Sequence, residues 1–190
     1  MSSQLVDRNL LLSFLQHLGR CYKHAGVVYL VGGSSLLLVA VKESTYDIDL
    51  QFTIPPDHHD EFIRCVRTVG RELRVFVEQA SPDEFMPLPA GREERRQFVG
   101  RFGMLDVFHF DFYSVALGKL QRGNTKDFAD VLNMIRSNVI DQSTLRRFFD
   151  EIFPSLETHG LRANPERFRR NFEYFEKRVT EESPPGDATP

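Results

Sequence analysis

Two short segments of this 190-residue chain carry residue types suited to phosphoryl transfer: Gly32-Gly33-Ser34, and Asp47-Ile48-Asp49 after an interval of twelve residues. A glycine pair lets backbone amides approach a triphosphate, and the helix expected after it turns unpaired N–H groups and positive dipole density toward anionic oxygens. Ser34 adds a hydroxyl. Asp47 and Asp49, at i and i+2 of a strand, share one face, where two like charges are costly unless a cation lies between them. Mg²⁺ suits that inventory because it takes oxygen ligands, usually one or two carboxylates plus substrate phosphates. Such a cation would offset charge developing on an α-phosphate and its pyrophosphate leaving group.

The flanking residues predict the elements that must position these groups. Leu10, Leu11, Phe14, Leu15, Leu18 and Tyr22 recur at helical spacing between Leu5 and Lys23. Val27 to Val31 is β-branched and aromatic and predicts a buried strand, after which Ser34 or Ser35 is expected to cap a short apolar helix through Val41. From Tyr46 to Phe52 the period is two: Tyr46, Ile48, Leu50 and Phe52 on one face, Asp47, Asp49 and Gln51 on the other. Asp57 is expected to cap a helix to about Leu73, Arg74 to Glu78 to form a strand, Ser81 to Gly91 a connection, and Gln97 to Phe110 a return to the sheet. Asp111 predicts the N-cap of a helix to Leu120, and helices follow over Lys126–Ser137, Asp141–Phe153 and Pro165–Val179. The expected class is α/β of the α+β kind: a small mixed sheet over 1–115, a helical part over 116–180 packed on it as one globular unit, and a disordered tail over 181–190.

Val31-Gly32-Gly33-Ser34 followed by Thr45-Tyr46-Asp47-Ile48-Asp49-Leu50 resembles the signature of the DNA polymerase β-type nucleotidyltransferase superfamily. The later run from Leu117 through Lys119, Arg122, Lys126 and Asp127 to Val131 is similar to the Lys…Arg…Asp…Asp motif of AbiEii-like toxins and of uncharacterised bacterial nucleotidyltransferase-like proteins. The likeness covers roughly residues 27 to 140. It implies transfer of a nucleotide from an NTP to a hydroxyl acceptor, often RNA, with Mg²⁺ held by Asp47 and Asp49. Gly32, Gly33 and Ser34 would meet the triphosphate, Lys119 and Asp127 would take the catalytic positions of the downstream motif, and Arg122 and Lys126 would contact nucleotide. The superfamily's third carboxylate usually lies on a later strand, for which Asp106 and Glu78 are both candidates. Helical spacing independently puts Lys119 and Arg122 on one face, and Asp127 and Asp130 on another.

Hydrophobic residues at 41% and charged residues at 27% exclude wholesale disorder, collagen-like repeats and a coiled-coil rod. The net charge of −3 gives no global basic field, so an RNA contact would fall to local clusters: Arg92, Arg95, Arg96 and Arg101, or Arg162, Arg167, Arg169 and Arg170. Each cluster taken singly reads more simply as a solvated face. His58 and His59 flank acids but diverge by about 100° on a helix, which predicts surface residues. Cys21 and Cys65 predict two inert, reduced thiols. Val27 to Val41 is too short and too interrupted to span a membrane. No secretory signal is legible before Arg8, so the expected location is the cytoplasm. The function expected is that of a toxin modifying RNA, partnered by a cognate antitoxin protein. The competing expectation is a binding module that keeps the fold without turnover, and nucleotidylation of a small molecule is a third.

Overall fold

The computed structural model describes residues 4–80, 82–84, 86–156 and 164–182. Two compact units emerge: one comprises Met1–Ser81 with Ala90–Val115, the other Pro82–Pro89 with Ala116–Pro190. The first is a five-stranded mixed sheet. Its strands are β1 (Gly26–Leu30), β2 (Asp47–Thr53), β3 (Phe76–Gln79), β4 (Gln97–Phe102) and β5 (Leu105–His109), in the order β3-β2-β1-β5-β4. β2 runs antiparallel to β1 and parallel to β3, while β5 runs parallel to β1 and antiparallel to β4. The mixed sheet and its helices are those the hydrophobic patterning predicts.

Side chains alternate along each strand, so one face of the sheet is apolar. Val28, Leu30, Ile48, Leu50, Leu105 and Val107 bury that face against Leu11, Phe14, Leu15 and Leu18 of α1 (Arg8–Cys21) and Phe62 and Val69 of α3 (His59–Leu73). Burying a leucine such as Leu15 contributes roughly 2 kcal/mol by transfer alone. Asp47 and Asp49 lie between these inward positions and face the other way. Tyr46, expected on the face of Ile48 and Leu50, is instead 65% exposed, because it precedes Asp47, the first residue of β2 to pair with β3.

The cysteines correct one expectation. Cys21 ends α1 and Cys65 lies in α3; packing of these helices on one sheet face brings their Cα atoms to 5.7 Å, and a disulfide joins them. That separation lies inside the range a bridge requires. The 44-residue gap in sequence hid the pair.

Between β1 and β2, α2 (Gly32–Leu38) begins at the glycine pair itself, so Ser34 and Ser35 lie inside the helix rather than capping it. Asp57 does not cap α3 either: a 3-10 turn, Pro56–His58, precedes that helix. Gln97 to Phe110, expected as a return to the sheet, is in fact a hairpin: Gln97 to Phe102 and Leu105 to His109 pair antiparallel and turn at Gly103 with φ +62°. Asp111 does cap α4 (Phe112–Arg122), accepting from the Ser114 N–H at 3.2 Å and the Ser114 hydroxyl at 2.7 Å.

In the second unit, α5 (Thr125–Arg136), α6 (Gln142–Leu156) and α7 (Pro165–Glu182) follow the end of α4. Phe168, Phe172, Phe175 and Val179 are all buried, as their spacing predicts, and Phe149 stacks on Phe172 with centroids 4.0 Å apart. Glu181 and Glu182 belong to α7 rather than to a tail; the remainder of the predicted tail, 183–190, lies outside the described residues. No helix among the described residues is long and apolar enough to cross a membrane.

Candidate active site

Asp47 and Asp49 emerge from β2 on the sheet face opposite α1 and α3. The parallel register of β3 sets Glu78 directly beside Asp49. Side chains of paired residues leave a sheet on the same side, so the third acid joins the other two. Carboxylate oxygens of Asp47, Asp49 and Glu78 all lie within 4.8 Å of one another. Of the two candidate third acids, Glu78 is thereby the one brought to the pair. Asp106 is engaged elsewhere: Arg101 donates to both its oxygens, at 2.6 and 2.9 Å, and holds its carboxyl below the usual range.

The glycine turn packs against this acid group. Gly32 has φ +55°, and a Cβ there would lie 2.3 Å from Asp49 Oδ2. At Gly33 a Cβ would lie 2.5 Å from Thr45 Oγ1. Only glycine gives both the left-handed turn and the close approach. Ser34 is wholly buried; its hydroxyl accepts from the Asp49 N–H at 2.9 Å and donates to the Asp47 carbonyl at 3.4 Å. The Val31 N–H donates to the Asp49 carbonyl at 3.0 Å. Ser34 thus fixes the backbone of β2 through both aspartates, and Thr45 donates to Asp47 Oδ1 at 3.4 Å.

Below the turn, Ser35 shares a hydrogen bond of 2.8 Å with Nδ1 of His109, which is 6% exposed. Burial pulls the His109 imidazole down to about 4, so it is neutral at pH 7. This pair ties α2 to β5. Nothing in the local pattern of either residue announces it, because the partners are 74 residues apart.

The downstream motif forms its own network in the second unit. Lys119, 4% exposed, donates to Asp130 at 2.7 Å and lies 3.5 Å from Asp127. Arg122 donates to both Asp127 oxygens, at 3.2 and 2.8 Å. Burial alone would raise the Asp127 pKa, but the hydrogen bond and charge of Arg122, with the charge of Lys119, outweigh it and hold the carboxyl below its ordinary range. The cationic face of α4 and the acidic face of α5 therefore meet. Arg122 keeps 57% of its side chain exposed, and Lys126 is exposed.

The arginine clusters are largely engaged. Arg95 clamps Asp111 through two bonds of 2.9 Å, and Arg96 donates to the Tyr29 hydroxyl at 3.1 Å. Arg167 donates to the Arg122 carbonyl, and Arg169 lies over the Phe153 ring at 4.5 Å. Arg162 lies outside the described residues.

Comparison with protein families matches residues 11–180 to the family described as Nucleotidyltransferase of unknown function (DUF6036). No curated protein and no solved structure gives a significant match.

Proposed function

The chain belongs to this family of nucleotidyltransferases, and from that premise we propose that it transfers a nucleoside monophosphate from an NTP to a hydroxyl acceptor, using Asp47, Asp49 and Glu78 to hold Mg²⁺. The observation that carries the reading is the convergence of three carboxylates beside a glycine turn packed against one of them. Three like charges at this spacing raise one another's cost, and a cation relieves it. The donors are all oxygens, which favours a hard cation over zinc. When bound, that cation supplies neutralisation of charge on the α-phosphate and the leaving pyrophosphate.

The chain's own groups do the positioning. Gly32 and Gly33 lack the Cβ atoms that would collide with Asp49 and Thr45, so the turn that we assign to the triphosphate lies close beside the acids. Ser34 acts as a positioning residue, holding β2 so that Asp47 and Asp49 stay on one side. In the second unit, Lys119 and Asp127 orient Arg122, and Arg122 with Lys126 offers the cations for phosphate or acceptor. Glu78 supplies the third acid whose absence would favour a binding module without turnover.

The acceptor we propose is RNA, and the setting a toxin held in check by a cognate antitoxin protein; the likeness of Leu117 to Val131 to AbiEii-like toxins supports both. Purified protein incubated with Mg²⁺, each α-labelled NTP and total RNA, beside Asp47→Asn, Asp49→Asn and Glu78→Gln, tests the reading. Label on RNA that falls at least 100-fold in all three variants supports it. Label confined to protein or a small molecule refutes the RNA acceptor alone, and labelling undiminished in the variants refutes the metal site.

A further inference from the structure

A second group of metal-ligating side chains lies at the other end of the sheet. His24 is in the connection between α1 and β1, His58 closes the 3-10 turn, and Glu61 is in the first turn of α3. His24 Nε2 is 3.2 Å from Glu61 Oε2. The rings of His24 and His58 are stacked, with centroids 3.6 Å apart and planes 11° apart, so binding one ion through both requires one ring to turn out of the stack. Each of the three residues offers a ligand atom within 4.8 Å of the others, and each is partly exposed, so an ion can reach them. The histidine expected to share its fate with His59 has instead turned to a partner 34 positions earlier in the chain, while His59 packs on Phe52.

Two further observations point to a missing ligand. The hydroxyl of Tyr22 is buried and has no hydrogen-bond partner among the described residues. Its ring meets that of His24 edge-on at 5.6 Å. A buried hydroxyl left unpaired beside such a cluster is what a bound ion's water would satisfy. The Cys21–Cys65 bridge, moreover, spans the same two elements, three residues before His24 and four after Glu61. The ligand-bearing segments are therefore held together before any ion arrives.

We propose that His24, His58 and Glu61 bind a first-row transition-metal dication such as Zn²⁺, with a fourth position left to water. Two imidazoles and one carboxylate form a nitrogen-rich donor set suited to zinc and its neighbours and poorly suited to Mg²⁺. The site is separate from the acidic one. β1 and β2 are antiparallel, and His24 lies before β1 while Asp47 opens β2, so the two sites are about 15 Å or more apart along the strands. An ion there fastens the α1–β1 connection to the start of α3, a structural role independent of nucleotide transfer.

Co²⁺ is the probe, because its visible absorption reports four- or five-coordinate nitrogen and oxygen ligation. Titration of the intact chain is expected to give one tight Co²⁺ per molecule, displaced by Zn²⁺. Affinity should fall at least tenfold in His24→Gln and in His58→Gln, and stay unchanged in His59→Gln and Asp47→Asn. Should a histidine variant fail to fold, diethyl pyrocarbonate modification of the wild-type chain decides: Zn²⁺ should shield His24 and His58 while His59 remains reactive. Absence of the absorption band, its survival in both histidine variants, its loss in Asp47→Asn, or equal reactivity of His24, His58 and His59 with Zn²⁺ present overturns the proposal.

Discussion

The Cα of Gly32 is packed against the Asp49 carboxylate so closely that a β-carbon on residue 32 would lie 2.3 Å from Asp49 Oδ2. Two costs follow for Gly32→Ala, and they are separable. The left-handed backbone, φ +55°, costs an alanine about 1–2 kcal/mol. The contact falls on the tip of a side chain, which yields by swinging Asp49 out of the acid group. Gly32→Ala is therefore expected to lower the melting temperature by several degrees and to reduce nucleotide transfer as far as Asp49→Asn does. Paired melting and turnover measurements check this; an alanine variant with wild-type turnover contradicts the packing argument.

Lys119 lies between Asp127 and Asp130 with almost no access to water. Removing one partner of a buried ion pair leaves an uncompensated charge, at a cost of about 3–5 kcal/mol. Lys119→Met is expected to lose that much stability in urea unfolding. Lys119→Met combined with Asp130→Asn should recover a large part of it, since Asp127 keeps Arg122. A single variant that loses less than about 1 kcal/mol speaks against burial of the pair.

His109 gives the fold an acid-side slope. Its imidazole titrates near 4 in the folded chain and near 6.5 in the unfolded one, so between those values only the unfolded chain takes up the proton. The contribution is complete above pH 6.5 and is lost as pH falls toward 4, amounting to about 3 kcal/mol in all. His109→Gln cannot titrate and is expected to flatten the stability curve over that interval. Chemical denaturation at pH 7, 5.5 and 4.5 for both proteins measures it, and parallel curves would exclude His109 as the source.

The Cys21–Cys65 bridge closes a loop of more than forty residues. Cross-links of this kind commonly contribute about 2–4 kcal/mol. Cys21 is exposed, so reductant can reach it. The wild-type chain should melt several degrees lower in dithiothreitol, and Cys21→Ser/Cys65→Ser should match the reduced protein and ignore the reagent. Identical melting with and without reductant would contradict the bridge.

How far the sequence disclosed this arrangement depends on the range of each interaction. Asp47 and Asp49 were legible because strand periodicity is local, and the glycine turn because no other residue occupies φ +55° so easily. Helical spacing puts Lys119 with Arg122, and Asp127 with Asp130, on a shared face each; that the two faces meet depends on how α4 packs on α5, which no helical period encodes. Local pattern does not separate Glu78 from Asp106; the parallel register of β3, which sets Glu78 beside Asp49, does. Distance in sequence likewise concealed the pairings of Cys21 with Cys65, His24 with His58, and Ser35 with His109. Each joins elements whose neighbourhood is decided by the sheet and not by the residues themselves.

Glu78 rides on β3, a four-residue strand at the margin of the sheet, bonded to a neighbour along one side only. Asp47 and Asp49 belong to β2, and on the side away from β3 their backbone is held by Ser34 and Val31. Marginal strands open at lower free energy than interior ones. The group of three acids would therefore come apart in a set sequence, shedding its outermost member by fraying while the other two stay in register, and on the proposed function cation retention would gauge whether that margin is zipped.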